Sequence, residues 1–223
     1  LRNNTTTGVN FVNGTATHTG SVIGNIYFGS SSDTLTVTGL SDSQFSTVFG
    51  DIDFGTNVTG SSTDKLNIGA FGVVSGQITE SNLGMLDISI ASGGSLSVLN
   101  NKVGKSLLLN NLVMASNGHL NIAVSTTLPN NTSISGSDIT ITNANSNSIG
   151  VVFSSFIPAS GQFVLLQAPT GHLHIDNTAQ VISGINTTIP FLFTGGAAYL
   201  TNQAGLDQLV LNLTPKTASS LGL

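Results

Sequence analysis

Three side chains that could bind a metal lie in the segment HLHID, residues 172–176. His172, His174 and Asp176 occupy alternate positions, so they would share one face of a strand. Imidazole and carboxylate groups at this spacing are compatible with a metal site, but tetrahedral sites use four ligands and no fourth is evident. We therefore interpret the segment as a polar outer face above an apolar inner face, and we expect no bound metal.

Two aspartates with the same spacing, Asp51 and Asp53, lie in GDIDFG at residues 50–55. Paired carboxylates can cleave glycosidic bonds or bind calcium. The sole arginine is Arg2, and no lysine lies beside the two aspartates in the sequence. The glycine- and aspartate-rich repeat that binds calcium in some solenoids is also missing. We expect a solvated outer face here and assign no catalytic role.

Nucleophilic catalysis has no sequence support either. The G-x-S-x-G turn, which presents a reactive serine in many hydrolases, does not occur. The chain has no cysteine and no tryptophan, and only two tyrosines. Sugar-binding platforms usually use Trp or Tyr rings. We therefore expect a protein without catalytic residues and without a cofactor.

The charge content excludes further classes of partner. Only 7% of the residues are charged, and five of the 223 are basic, against a net charge of −5. Nucleic-acid binding and docking on anionic lipid both depend on clustered Lys and Arg, so neither is expected. No apolar run approaches the ~20 residues of a membrane helix. The first residues lack a signal-peptide pattern, and we expect a mature or excised segment.

The pattern that must position any site is strand alternation with a repeat. Apolar residues fall at every second position in runs such as TLTVTGL (34–40) and HLNIAVS (119–125). Similar units begin at Gly24, Gly50 and Gly76, which are 26 residues apart. A repeat of this length indicates stacked coils, each coil being one turn of a solenoid.

The fold class predicted for residues 1–149 is an all-β, right-handed parallel β-helix with coils of about 26 residues. A β-sandwich is the rival; Asn13-Gly14 and Asn117-Gly118 could be its hairpin turns, but the repeat explains more of the chain. Equivalent apolar residues of successive coils should stack inside. The predicted stacks are Ile26, Ile52 and Ile78, and Leu35, Leu66 and Leu86, with Phe28 and Phe54 starting a third.

Residues 150–223 form a different region, with longer apolar stretches and four of the five prolines. The segment from residue 187 to 213 reads as strands and turns that suit antiparallel pairing. A solenoid needs its last coil covered, because the coil otherwise exposes an unpaired edge. We predict a C-terminal antiparallel β cap, with an inward core of Phe163, Leu165, Tyr199, Leu200, Leu209, Leu211 and Leu213.

GQFVLLQAP (161–169) and AAYLTNQAGLDQLVLNLTPKTASSLGL (197–223), in this order, resemble the C-terminal part of bacterial autotransporter passenger domains. The resemblance implies a β-helix whose C-terminal autochaperone, or junction, region precedes a translocator barrel. That barrel would be the partner, and the chain would be secreted or displayed on the bacterial surface. PKTASSLGL (215–223) would then begin a linker helix, and the end at Leu223 would be a cut or a processing point.

The predicted function is a non-catalytic stalk and folding cap that supports export and display. Two alternatives stay open. One is an adhesin, in which Thr, Asn and Ser faces pair laterally between copies or bind a host-surface ligand. The other is a carbohydrate-active β-helix enzyme or fibre.

Overall fold

The chain is almost entirely β-structure. The computed structural model describes residues 9–12, 15–18, 20–29, 32–55, 63–81, 85–100, 104–125, 132–154, 157, 159–217 and 219. The elements of the first half are β1 (Val9–Val12), β2 (Thr15–His18), β3 (Ser21–Ile23), β4 (Ile26–Tyr27), β5 (Thr34–Val37), β6 (Ser46–Phe49), β7 (Ile52–Asp53), β8 (Asp64–Ile68), β9 (Gly72–Gly76), β10 (Ile78–Thr79), β11 (Leu86–Ile90) and β12 (Ser95–Val98). Those of the second half are β13 (Leu107–Met114), β14 (His119–Val124), β15 (Thr132–Ile141), β16 (Ile149–Phe153), β17 (Gly161–Pro169), β18 (Leu173–Ile175), α1 (Thr178–Thr187), β19 (Phe193–Gln203) and β20 (Leu206–Pro215).

The strands stack into a β-solenoid with three sheets, and this confirms the predicted fold. Sheet A runs β1-β2-β5-β8-β11-β13-β15-β17-β20-β19, with β18 also beside β15. Sheet B runs β3-β6-β9-β12-β14-β16, and sheet C runs β4-β7-β10. From β2 to β18, strands of successive coils pair in parallel. Antiparallel strands lie at the C-terminal end, in β19 and β20.

Inward residues of successive coils form continuous apolar stacks. Ile26, Ile52 and Ile78 are register partners in sheet C, and all three are buried. The rings of Phe28 and Phe54 stack beside them with centroids 5.1 Å apart. Such like-on-like packing follows from the parallel register, because each residue meets its equivalent in the next coil.

One predicted stack has the wrong third member. Leu35 aligns with Leu66 as expected, but Leu66 aligns with Ile88, not with Leu86. Leu86 is buried opposite Asp64 instead. Leu86 and Ile88 lie on the same buried face of β11, so strand alternation fits either residue, and only the parallel pairing of β8 with β11 decides between them.

Three glycines form the corner between sheets B and C. Gly24, Gly50 and Gly76 lie above one another, and a Cβ on Gly50 would collide with the carbonyl oxygen of Gly24. A Cβ on Gly76 would collide in the same way with the carbonyl of Gly50. The repeat of glycine therefore reflects a close approach of backbones that leaves no room for a side chain.

Sheet C ends because a side chain takes the place of its next strand. The Asn100 side chain accepts a hydrogen bond from the Ile78 N–H (2.9 Å) and donates one to the Ile78 carbonyl (2.6 Å). Asn100 is 2% exposed. Its amide therefore satisfies a buried backbone edge as a peptide group of a neighbouring strand would. Below this point the described coils have two strands each.

The C-terminal unit, which we call the cap, spans residues 161–215. β17 pairs in parallel with β15 and antiparallel with β20, so the solenoid passes directly into the hairpin of β20 and β19. Phe163, Leu165, Leu209, Leu211 and Leu213 are buried. Tyr199 is half-buried and packs on this core. Leu200, the next residue of β19, is also half-buried.

Helix α1 covers β16, the last strand of sheet B, and also contacts β19. Val181 and Ile185, one turn apart, are buried against the core. Gly184 touches the Ser146 backbone so closely that a Cβ would collide with the Ser146 carbonyl. The sequence pattern did not indicate this helix. Within the described ranges, no helix has the length and apolarity needed to cross a membrane.

The glycine corner generates a stability prediction. Gly50→Ala should lower the free energy of unfolding by about 1–3 kcal/mol, because the new Cβ meets the Gly24 carbonyl and φ is +151°. Urea unfolding followed by circular dichroism measures the change. Gly29→Ala is the matched control, since no heavy atom lies within 4 Å of its Cβ position. Equal stability of the two variants would contradict the corner's role.

Candidate functional site

A cleft of about 530 Å³ opens where sheet C ends. Asp53 at the end of β7 and Thr79 at the end of β10 line it from sheet C, together with Asn100. Lys105 lines it from the segment before β13. Glu80 also lines the cleft and is 7% exposed. The described coils that follow Asn100 have no strand in sheet C, and the cleft lies where such a strand would continue the sheet. The cleft is therefore a direct consequence of the change in coil shape.

The cleft offers carboxylates, an ammonium group, hydroxyls and an apolar wall. Asp53 uses one oxygen, Oδ1, to accept the Gly55 N–H at 3.0 Å. Both polar groups of the Asn100 side chain are engaged with Ile78. Glu80 and Lys105 add a second carboxylate and an ammonium group to the lining of the cleft. Asp53 and Lys105 are far apart in sequence, and only the stacking of coils brings them to one cleft.

Asp51, which the sequence pairs with Asp53, has a structural task. Its Oδ1 accepts the N–H of Gln77 at 3.1 Å, and its own N–H donates to Asn25 Oδ1 at 3.0 Å. These bonds join three successive coils at intervals of 26 residues. Asp51 thus belongs to a ladder of side-chain-to-backbone bonds, whereas Asp53 faces the cleft.

A second acidic pair lies at the corner between sheets C and A. Asp33 and Asp64 occupy successive coils and are 3% and 0% exposed. The Asp33 N–H donates to Asp64 Oδ1 at 2.6 Å. Burial raises the pKa of Asp33, repulsion from Asp64 raises it further, and a hydrogen bond from the Gly29 backbone partly opposes both. The repeated SSSD and SSTD segments contained the signal for this pair.

The HLHID side chains have separate partners. His172 Nδ1 lies 3.1 Å from Asp138 Oδ2, with both groups about half exposed. Asp176 Oδ2 accepts the Asn143 N–H at 2.8 Å. His174 lies near Asp207 and helps to lower the pKa of that carboxyl. In the part of the chain that the structure describes, no three His, Asp or Glu side chains are grouped to hold a metal.

Asp207 joins two turns of the cap. One oxygen accepts the Gly171 N–H at 2.8 Å, and the other accepts the Asn202 N–H at 2.9 Å. These two bonds, with a smaller contribution from His174, hold the pKa of Asp207 below its ordinary value. Beside it, the Tyr199 hydroxyl donates to the Leu173 carbonyl at 2.6 Å. Burial and the Asp207 charge raise the pKa of Tyr199.

Comparison of the chain with protein-family models, with curated proteins and with solved structures finds no significant match. Functional inference therefore depends on the geometry of the described residues and on the resemblance in the C-terminal sequence.

The Asp207 bonds predict a pH-dependent cap. A carboxyl whose folded pKa is lowered adds stability above its unfolded pKa, and this stability is lost as the pH falls through the folded pKa. Asp207→Asn should therefore have a lower Tm than the wild type at pH 7. The difference should shrink below about pH 3.8, the ordinary value for aspartate. Calorimetric scans between pH 7 and pH 2.5 measure both effects.

Asp42→Asn is the control for this series, because Asp42 lies exposed in the turn at residues 41–44. The Tm difference between wild type and this control should not follow the same pH dependence. A constant Asp207→Asn deficit from pH 7 to pH 2.5 would show that the lost stability does not come from the carboxylate charge.

Proposed function

We propose that the chain is a non-catalytic segment of an autotransporter passenger, in which the solenoid is a stalk and the cap starts folding. The observation that carries the proposal is the way in which the coils end. Parallel pairing continues into β17, and β17 then pairs antiparallel with β20. The last coil is thus built on a hairpin that covers it, as a folding cap requires.

The cap has the properties of a folding nucleus. β20 is paired on both sides, by β17 and by β19, and its side chains Leu209 and Leu211 are fully buried. The hairpin of β19 and β20 is local in sequence, so its closure costs little chain entropy. Once formed, β17 presents an edge on which β15 can pair in parallel. Solenoids extend in this way, one neighbour at a time.

This proposal implies a translocator barrel as the C-terminal partner and a location on the bacterial surface or outside the cell. The segment PKTASSLGL (215–223) would connect the cap to that barrel. β20 ends at Pro215, the residue at which we predict from the sequence that the linker to the barrel begins. The predicted linker helix itself falls largely outside the described residues.

A display experiment tests the cap role. Leu211→Ala in the cap and Leu66→Ala in an early coil each truncate a leucine that is 0% exposed. Each should cost about 2–5 kcal/mol. With the chain fused ahead of a translocator barrel, Leu211→Ala should reduce the amount of protease-resistant protein on the cell surface much more than Leu66→Ala.

Urea unfolding of both purified variants shows whether the two substitutions cost the same stability. Equal surface display of two equally destabilised variants would contradict the proposal, because a stalk whose folding does not begin at the cap would be affected equally by both substitutions.

Lateral self-association is a second candidate, and the outer face of sheet A favours it. Thr36, Asn67 and Ser89 are register partners on successive coils. Neighbouring coils lie ~4.8 Å apart, so these groups form a row of hydroxyls and amides. Beside the row, Asp87 accepts hydrogen bonds from Asn110 and Asn111 at 2.8 and 3.0 Å. A face of this kind could exchange hydrogen bonds with a second copy.

Light scattering measures this association. The mean mass should rise with protein concentration, and Ser89→Lys should prevent the rise by placing like charges opposite each other in the pair. Ser95→Lys, on the outer row of sheet B, is the matched control and should still associate. A monomeric mass at all concentrations would contradict self-association.

A further inference from the structure

The corner that contains Asp33 and Asp64 has an unusual charge arrangement. Asp33 directly precedes β5 and Asp64 begins β8, so the two carboxylates lie on neighbouring coils of sheet A. Two backbone groups fix this alignment: the Asp33 N–H donates to Asp64 Oδ1 at 2.6 Å, and the Asp33 carbonyl accepts the Lys65 N–H at 2.8 Å. The corner thus brings two acidic side chains together in the interior.

The Asp33 carboxylate is not balanced by its surroundings. Its Oδ2 is buried and has no hydrogen-bond donor. The backbone of Gly29 supplies one bond to the carboxylate. Lys65 is next to Asp64 in sequence, but it lies on the exposed face of β8.

A buried carboxylate oxygen that meets neither a hydrogen-bond donor nor a cation is strongly unfavourable. Burial and the neighbouring Asp64 carboxylate both raise the Asp33 pKa, because both make the ionised form of Asp33 less favourable. Natural structures contain few such groups, and each calls for a proton or an ion that neutralises it.

We propose that Asp33 and Asp64 together bind one calcium ion at this corner. Two carboxylates carry the charge that a divalent cation neutralises. Among the described residues no third His, Asp or Glu joins the pair to form a metal-binding group. The chain has no cysteine. An oxygen-only set selects hard cations and disfavours zinc or copper.

Calcium suits the corner better than magnesium. Ca²⁺ accepts irregular sets of carboxylate, carbonyl, hydroxyl and water oxygens, whereas Mg²⁺ requires near-ideal octahedral geometry and retains its waters. With two carboxylates the affinity should lie in the range of extracellular modules, with a Kd of about 0.1–1 mM. The ion would join two successive coils, those that begin with β5 and β8, at a corner where a side chain already replaces part of the regular backbone pairing.

Thermal unfolding in 1 mM EDTA and in 10 mM CaCl₂ tests the proposal. The wild-type Tm should rise by about 3–8 °C in calcium. Asp33→Asn should lose this response, and in EDTA it should melt at or above the wild-type temperature, because the unbalanced charge is gone. The control Asp42→Asn, which changes an exposed aspartate, should keep the full response.

Equilibrium dialysis with ⁴⁵Ca²⁺ gives a second readout that does not depend on unfolding. It should find one ion per chain for the wild type and for Asp42→Asn, and none for Asp33→Asn. An unchanged wild-type Tm in calcium, or a calcium response retained by Asp33→Asn, would overturn the proposal. An equal, Asp33-dependent shift in 10 mM MgCl₂ would overturn the preference for calcium.

Discussion

The hydrogen bonds between coils are the constraint on which the whole structure depends. They align each residue with its equivalent one coil away, so a position in the cross-section keeps one chemical character along the axis. Inside, this alignment stacks Ile26, Ile52 and Ile78. At the corner, it places glycine on glycine because backbones meet there. Outside, it arranges polar groups in rows, of which the Asn25 and Asp51 ladder is one.

The last two strands of the cap follow a different rule, because β20 pairs antiparallel with β19, its neighbour in sequence, and with β17, whereas β17 itself still pairs in parallel with β15. Helix α1 covers part of the outer edge of β19. The Asn186 side chain of α1 accepts the Ala197 N–H of β19 at 2.7 Å, so one backbone donor of the last strand is already engaged. A strand edge occupied by a helix and a side-chain amide is a poor template for another chain. The cap therefore both completes the core and limits pairing at this end.

Strand alternation and the repeat of glycines were sufficient to predict a solenoid with an antiparallel end. They could not predict the register of β11 in sheet A, because alternation fits Leu86 and Ile88 equally, and only the pairing between coils aligns Ile88 with Leu66. The helix α1 was missed for another reason. Its sequence, TAQVISGINT, is rich in β-branched residues, and Asn177 makes no side-chain capping bond. Packing of Val181 and Ile185 on the core determines its conformation.

The candidate sites show the same limit. Asp53 and Lys105, or Asp33 and Asp64, are far apart in sequence and meet only because coils stack. A single sequence contains the residue types but not the alignment of coils that brings them together. The aspartates of SSSD and SSTD were the one visible sign, since they occupy the same position of two repeats.

The end of sheet C at Asn100 has a mechanical consequence. A pull along the solenoid axis acts directly on the bonds between coils. In the coils that precede Asn100 in the sequence, three sheets share that tension. In the later coils, the long strands β13 and β15 share it over many aligned residues. Between them, the short register of β11 with β13 and of β12 with β14 holds the coils together. A stretched molecule should therefore part among the short strands of the coils before it parts at the cap, where β20 pairs with both β17 and β19 along most of its length.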